Sequence, residues 1–285
     1  MATSSLFIGV VSHEGSRFAV SQGPGGLAAV LADQLRSLGQ SVLVEVSTVD
    51  AYDREQLPIT PAMVGACLTA QVHLDRRWAR YLGRARGPRW WATHGLRWAR
   101  RAEQLVRSPG PKMVERLLNI ELAHFALLRA GLATGAEWVL ILEDDASSTD
   151  MSDCAAGLAW LMSSRIDEKQ PAYVNISQSF SLDELGLSQL LTPSPDASWA
   201  GETPRLILTS ARPATNTVCA ILYRGSFVRE LLAVTDSLPM EPVVPIDWKI
   251  NLALMQMFAT GGLGAGDCWF VDPAPIDQLS MRGTG

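Results

Sequence analysis

Apolar residues fall in short unbroken blocks separated by stretches of helical spacing. Leu6-Phe7-Ile8-Gly9-Val10-Val11 is a continuous apolar run, the pattern of a strand covered on both faces. Gly23-Pro24-Gly25-Gly26 makes a turn. A helical pattern then runs through Leu27, Val30, Leu31, Leu35 and Leu38, and Gly39 suits its C-terminal cap. Ser41 to Val46 is a second buried strand. This β-α-β opening predicts a parallel sheet with a right-handed crossover.

The pattern continues with helices over 61–82 and 111–133, the second with Pro111 near its start and Gly131 and Gly135 near its end. Trp138-Val139-Leu140-Ile141-Leu142 is the strongest strand of the chain and stops abruptly at Glu143-Asp144-Asp145. A helix is expected at 151–163 and a strand at 172–176. A polar, proline-rich stretch covers 178–204. Strands near 205–210 and 216–223 and helices near 225–235 and 246–258 complete the pattern. No internal repeat or linker is visible, so the 285 residues predict a single α/β domain with a mostly parallel, Rossmann-like sheet flanked by helices.

Composition narrows this picture. With 47% hydrophobic and 19% charged residues the chain is globular. A net charge of −5 argues against a surface that binds nucleic acid throughout. No apolar run approaches the ~18 residues that span a bilayer. The segment before Leu6 carries no Lys or Arg, so Leu6–Val11 reads as a strand rather than a secretory signal. Cys67, Cys154, Cys219 and Cys268 are far apart and form no C-x-x-C pair, which points to reduced, partly buried thiols. A cytoplasmic location is the natural expectation.

The acidic triplet is the first candidate site. Ligands of an open parallel sheet bind outside the carboxyl ends of its strands, and Glu143-Asp144-Asp145 stands at such an end. Three adjacent carboxylates repel one another. A hard divalent cation relieves that repulsion, using one or two carboxylates plus substrate phosphates. Asp145 is the first choice for direct coordination with Glu143 beside it, while Glu143 or Asp144 can contact a ribose or sugar. The competing reading is a helix cap, since acidic residues favour helix N-termini, although Asp150 or Asp153 could do that instead.

Trp138 to Ala146, WVLILEDDA, resembles the LILEDDA signature of glycosyltransferase family 25, which includes lipooligosaccharide and collagen galactosyltransferases. The preceding helix carries Ala123-His124 where that family usually shows Ser-His, and Pro275-Ile276-Asp277-Gln278-Leu279-Ser280 is similar to its closing Pro, Gln and Ser positions. The resemblance is good over 115–146 and loose over the C-terminal third. It implies a GT-A fold, Mn²⁺ or Mg²⁺, and a nucleotide-sugar donor, with a UDP-sugar as the leading expectation. It further implies a hexosyl transfer to a glycan or glycolipid hydroxyl, with inversion, in cell-envelope glycan biosynthesis.

Other residues fit such a site. Val11 ends the first strand, and Ser12, His13 and Arg17 follow it in a loop that can contact nucleotide base and phosphates; a solvated loop is the competing reading. Asp50, after the second strand, can accept hydrogen bonds from a ribose or cap the next segment. Glu121 and His124 lie one turn apart on the inward stripe of 111–133, either as a buried hydrogen-bonded pair or as support for the acidic strand. Inversion needs a general base, and Asp247 in Pro245-Ile246-Asp247-Trp248 is the candidate; it could equally be the N-cap of a helix over 248–258. Asp267 and Asp272 are weaker alternatives. Gly261 to Gly266 lacks the Lys-Ser/Thr of a phosphate loop and reads as a flexible turn.

Residues 73–116 hold a basic arm: Arg76, Arg77, Arg80, Arg84, Arg86, Arg89, Arg97, Arg100, Arg101, Arg107, Lys112 and Arg116, against Asp75, Glu103 and Glu115. Trp78, Trp90, Trp91 and Trp98 interleave with them. Indole and guanidinium suit an anionic membrane surface or a lipid-linked acceptor. A solvated helical hairpin whose tryptophans pack on the core explains the pattern as well. Two other functions remain open: a nucleotidyltransferase, which should carry a lysine-bearing phosphate loop near the N-terminus, and a non-catalytic nucleotide-sugar-binding protein.

Overall fold

The computed structural model describes residues 4–12, 26–48, 59–83, 110–163, 171–179, 182–237 and 243–281. The expected opening is present: β1 (Ser5–Ser12), α1 (Leu27–Ser37) and β2 (Ser41–Thr48), followed by α2 (Pro61–Tyr81), α3 (Gly110–Ala133) and β3 (Trp138–Glu143). Then come β4 (Ala146–Ser147), α4 (Met151–Ser163), β5 (Tyr173–Asn175), β6 (Ser177–Gln178) and α5 (Leu182–Leu185). β7 (Leu191–Ser198), β8 (Leu206–Ser210), β9 (Ala220–Arg224), α6 (Gly225–Ser237), α7 (Ile246–Ala259), β10 (Cys268–Asp272) and β11 (Ile276–Gln278) complete the order.

The main sheet has eight strands in the order β2-β1-β3-β9-β5-β10-β8-β7. β2, β1 and β3 run parallel, and so do β5 and β10; the pairs involving β9 and β8 are antiparallel. Six strands therefore point one way, with β9 and β8 reversed. The architecture is α/β, a mixed and mostly parallel sheet flanked by helices.

Alternation along the buried strands sorts the core into two layers. Leu6, Ile8 and Val10 of β1 join Leu140 of β3, Leu31 and Leu35 of α1 and Leu158 of α4. Phe7 of β1 joins Val139 and Ile141 of β3, Leu127 and Leu128 of α3, Leu231 of α6 and Leu254 of α7. α3 lies close to the sheet because two glycines allow it. A Cβ on Gly9 would sit 3.0 Å from Leu127 Cβ, and one on Gly131 would sit 2.9 Å from Val139 Cγ2. The close packing fixes where the second half of α3, with His124, meets the end of β3.

The chain leaves β1 for β2 by α1 on one face and returns to β3 by α3 on the other. β1 and β3 therefore flank the point where the strand order reverses, the place where open sheets form a crevice. Beyond the ends of those strands sits a second sheet, β4-β11-β6, with β11 antiparallel to β4 and parallel to β6.

Three expectations are revised. The second strand, expected to be buried, is an edge of the main sheet, and Leu43 and Val46 of β2 are exposed because no strand among the described residues covers that side. The strand placed at 216–223 begins at Ala220, because the preceding residues spend their backbone groups on side chains: Asn251 clamps Thr215, and Thr217 Oγ1 accepts from Cys219 N. The proline-rich stretch 178–204 contains the edge strand β7, whose pairing with β8 is interrupted between Pro193 and Ser198. Proline is tolerated at an edge because no neighbour needs its missing N–H.

Candidate functional site

Glu143 closes β3, and its N–H donates to the Cys219 carbonyl at 2.8 Å, which ties the lead-in of β9 to the site. The Glu143 carboxylate is held from two sides. Gln278 Nε2 donates to Oε2 at 3.0 Å, and His124 Nε2 lies 3.6 Å from Oε1. His124 is buried, and its Nε2 makes no hydrogen bond. Val11 pairs in register with Glu143 on the adjacent strand, and Ser12 follows it, both buried. The structure thus brings Val11, Ser12 and the triplet together at the strand-order reversal.

Asp145 is 5% exposed, and its Oδ1 has no hydrogen-bond partner. Its carbonyl accepts from Leu279 N at 2.9 Å. Burial pushes the Asp145 carboxyl above its usual range, and the charges of Glu143 and Asp144 add to that, while hydrogen bonds from Ser280 and Gln278 oppose it. Cys219 completes the group: one ligand atom each from Glu143, Asp145 and Cys219 lie within 4.8 Å of one another. Burial, then the surrounding carboxylates, raise the Cys219 thiol well above its ordinary value.

This arrangement fits a divalent cation. A buried carboxylate oxygen without a partner is costly, and a cation beside it supplies what no protein donor does. The helix-cap reading of the triplet does not hold. Asp150 caps α4, accepting from Asp153 N at 2.9 Å and Ser152 Oγ at 2.8 Å, and these bonds hold its carboxyl below the ordinary value. β4 separates the triplet from that helix.

A buried polar ladder supports the site from behind. Asn251 of α7 binds both backbone groups of Thr215, at 3.0 and 3.1 Å. Thr215 Oγ1 donates to Asn175 Oδ1 at 2.7 Å. Ser179 hydrogen-bonds Thr217 Oγ1 at 2.7 Å and Gln278 Oε1, and Gln278 reaches Glu143. None of these links is legible in the sequence, although Gln278 is among the C-terminal positions that carry the resemblance. A cluster of uncharged polar residues just ahead of an apolar strand, Thr215-Asn216-Thr217, was the available signal.

The other expected residues divide. Glu121 and His124 do not pair: Lys249 Nζ binds Glu121 at 2.5 Å, while His124 Nε2 lies 3.6 Å from the Glu143 carboxylate. Asp247 is not an N-cap, because Pro245 holds that position and α7 starts at Ile246. Asp247 lies in the first turn, where the helix dipole favours a carboxylate. The i,i+4 spacing sets it on the same stripe as Asn251. Asp267 accepts from Gly264 N at 2.6 Å, so the glycine-rich segment is a hydrogen-bonded turn closing α7, and Asp267 is engaged in it. His13, Arg17 and Asp50 lie outside the described residues, as do Arg84 to Arg107 and three tryptophans of the basic arm, Trp90, Trp91 and Trp98. The described end of the arm presents Arg76, Arg77 and Arg80 outward from α2, while Trp78 is buried edge-on against Trp248 at 5.6 Å. For Trp78, packing on the core is the correct reading.

No helix among the described residues is long and apolar enough to cross a membrane. No family model matches the chain, and neither does any curated protein.

Proposed function

We propose that the protein is a metal-dependent glycosyltransferase with a GT-A-type fold. It moves a hexose from a nucleotide-sugar to a hydroxyl of a glycan or lipid-linked acceptor, with inversion. The observation that carries the reading is the partnerless Oδ1 of buried Asp145, at the end of β3 and beside the strand-order reversal. When bound, Mn²⁺ or Mg²⁺ neutralises the charge of the departing diphosphate.

The chain's own residues do the rest. Asp145 and Glu143 hold the cation-diphosphate group. Gln278 holds Glu143 in place, with His124 beside it. Val11 and Ser12, in the neighbouring strand end, border the nucleotide. Asp247 takes the proton of the acceptor hydroxyl as that oxygen attacks the anomeric carbon and the bond to the diphosphate breaks. Arg17 and Asp50 contribute to phosphate and ribose binding, and the basic arm brings an anionic, lipid-linked acceptor to the site.

Calorimetric titration with UDP, GDP and CMP, each with Mn²⁺ and with EDTA, tests this. The expected result is binding of one nucleotide, UDP first, only with metal, and its loss in Asp145→Ala. Absence of binding in every condition would sink the reading.

A further inference from the structure

The third member of the cation cluster is a sulfur, and neither the resemblance nor the proposed activity asks for one. We propose that Cys219 is a cation ligand together with Asp145 and Glu143, so that the site favours thiophilic divalent cations over Mg²⁺. This rests on the cation site of the proposed function and adds its ligand set and metal preference.

Three observations meet at this point. The ligand atoms of Glu143, Asp145 and Cys219 lie within 4.8 Å of one another, a spacing from which small side-chain shifts bring all three onto one ion. Asp145 is 5% exposed with a partnerless Oδ1, an independent sign that something other than protein completes the group. Cys219 is also fixed in place: its carbonyl accepts from Glu143 N at 2.8 Å, and its N–H donates to Thr217 Oγ1 at 3.2 Å. Cys219 packs at the edge of the apolar layer with Leu142 and Ala220, where its sulfur also neighbours the Glu143 and Asp145 carboxylates. Among the described residues, Cys67, Cys154 and Cys268 belong to no such cluster.

Coordination exchanges the thiol proton for the cation, and the proton leaves to solvent. A hard ion such as Mg²⁺ gains little from sulfur, whereas Co²⁺, Zn²⁺ and Cd²⁺ gain much. Mn²⁺ falls between.

Co²⁺ titration of the full chain reads this directly. The expected result is a near-ultraviolet thiolate-to-cobalt charge-transfer band, lost in both Cys219→Ser and Cys219→Ala. Calorimetry should show Cd²⁺ affinity falling by about tenfold or more in those variants while Mg²⁺ affinity stays within about twofold. The band requires no variant in wild type, so a variant that folds poorly does not blunt the test. Co²⁺ binding without the band, with Cd²⁺ affinity intact in the cysteine variants, would overturn the role of Cys219 and leave the carboxylate cation site standing. Failure of wild type to bind any divalent cation would overturn both.

Discussion

Two buried aspartates in neighbouring elements, Asp145 and Asp153, are treated in opposite ways. Asp153 is 2% exposed and fully engaged: Trp199 Nε1 donates at 3.2 Å, Thr203 N at 2.8 Å and Arg205 Nε at 3.0 Å. Asp145 is almost as buried, yet one oxygen has no donor, and the nearest charges, Glu143 and Asp144, are negative. Asp153 ties α4 to the loop that precedes β8. Asp145 sits at the crevice end of β3. Burial alone therefore says little about a carboxylate's role; the donors around it distinguish a structural tie from a place for a ligand.

The comparison breaks most visibly on substitution. Asp145→Asn keeps the shape and removes the charge. In the proposed reaction, cation-dependent transfer should fall by about 10²–10⁴-fold, the several kcal/mol a cation supplies to a leaving phosphate, while the cation-free protein loses no thermal stability. A variant that unfolds instead would place Asp145 with Asp153 as a structural residue. Asp153→Ala should do the reverse. Removing one partner of a buried ion pair strands Arg205, costing about 3–5 kcal/mol and lowering Tm by roughly 10 °C, with cation binding by the folded fraction retained. An unchanged thermal melt would refute the tie.

Gly157→Ala sharpens the same side of the comparison. Trp199 lies flat on Gly157, and a Cβ there would come within 2.0 Å of Trp199 Cζ2. The indole must shift, and its bond to Asp153 shifts with it. The expected cost is about 1–3 kcal/mol in urea unfolding, accompanied by a change in tryptophan fluorescence. A neutral outcome would show that Trp199 has room to move and that Asp153 does not depend on it.

Sequence pattern carried the framework because the strands are continuous apolar runs and the helices periodic. β1, β2, β3, α1 and α4 lie where that pattern places them, and the acidic triplet was visible because it ends the strongest run. The partners of the triplet were harder to read. Gln278 meets Glu143 across 135 positions of sequence, and Cys219 arrives from the residue just before the antiparallel β9. Such contacts depend on strand order, which local pattern does not encode. Spacing correctly put Glu121 and His124 on one inward stripe, but it could not show that Lys249 from α7 would claim Glu121. β7 was hidden by its prolines, which only an edge position tolerates.

The smallest expected effect is in pH dependence, where the aspartates at the two ends of the β3–α4 connection carry opposite signs. Asp145 is raised above the ordinary 3.8, first by burial and then by the charges of Glu143 and Asp144, net of hydrogen bonds from Ser280 and Gln278. Between 3.8 and its raised value, the folded protein holds a proton that the unfolded chain has released. Stability rises with pH only where the unfolded state binds more protons, so here it must fall as pH rises through that window. Asp150 is lowered by its capping bond from Asp153 N, so its contribution is present above 3.8 and is lost as pH falls through the lower folded value. The two windows do not overlap. Urea unfolding of the cation-free protein, wild type beside Asp145→Asn, should show the variant gaining on wild type as pH rises just above 3.8, then holding a constant lead. Divalent cation should shrink that lead, because it stabilises the ionised carboxylate that the variant lacks. A difference that does not vary with pH would mean that Asp145 has found donors in solution, and its resemblance to Asp153 would then be closer than the structure shows.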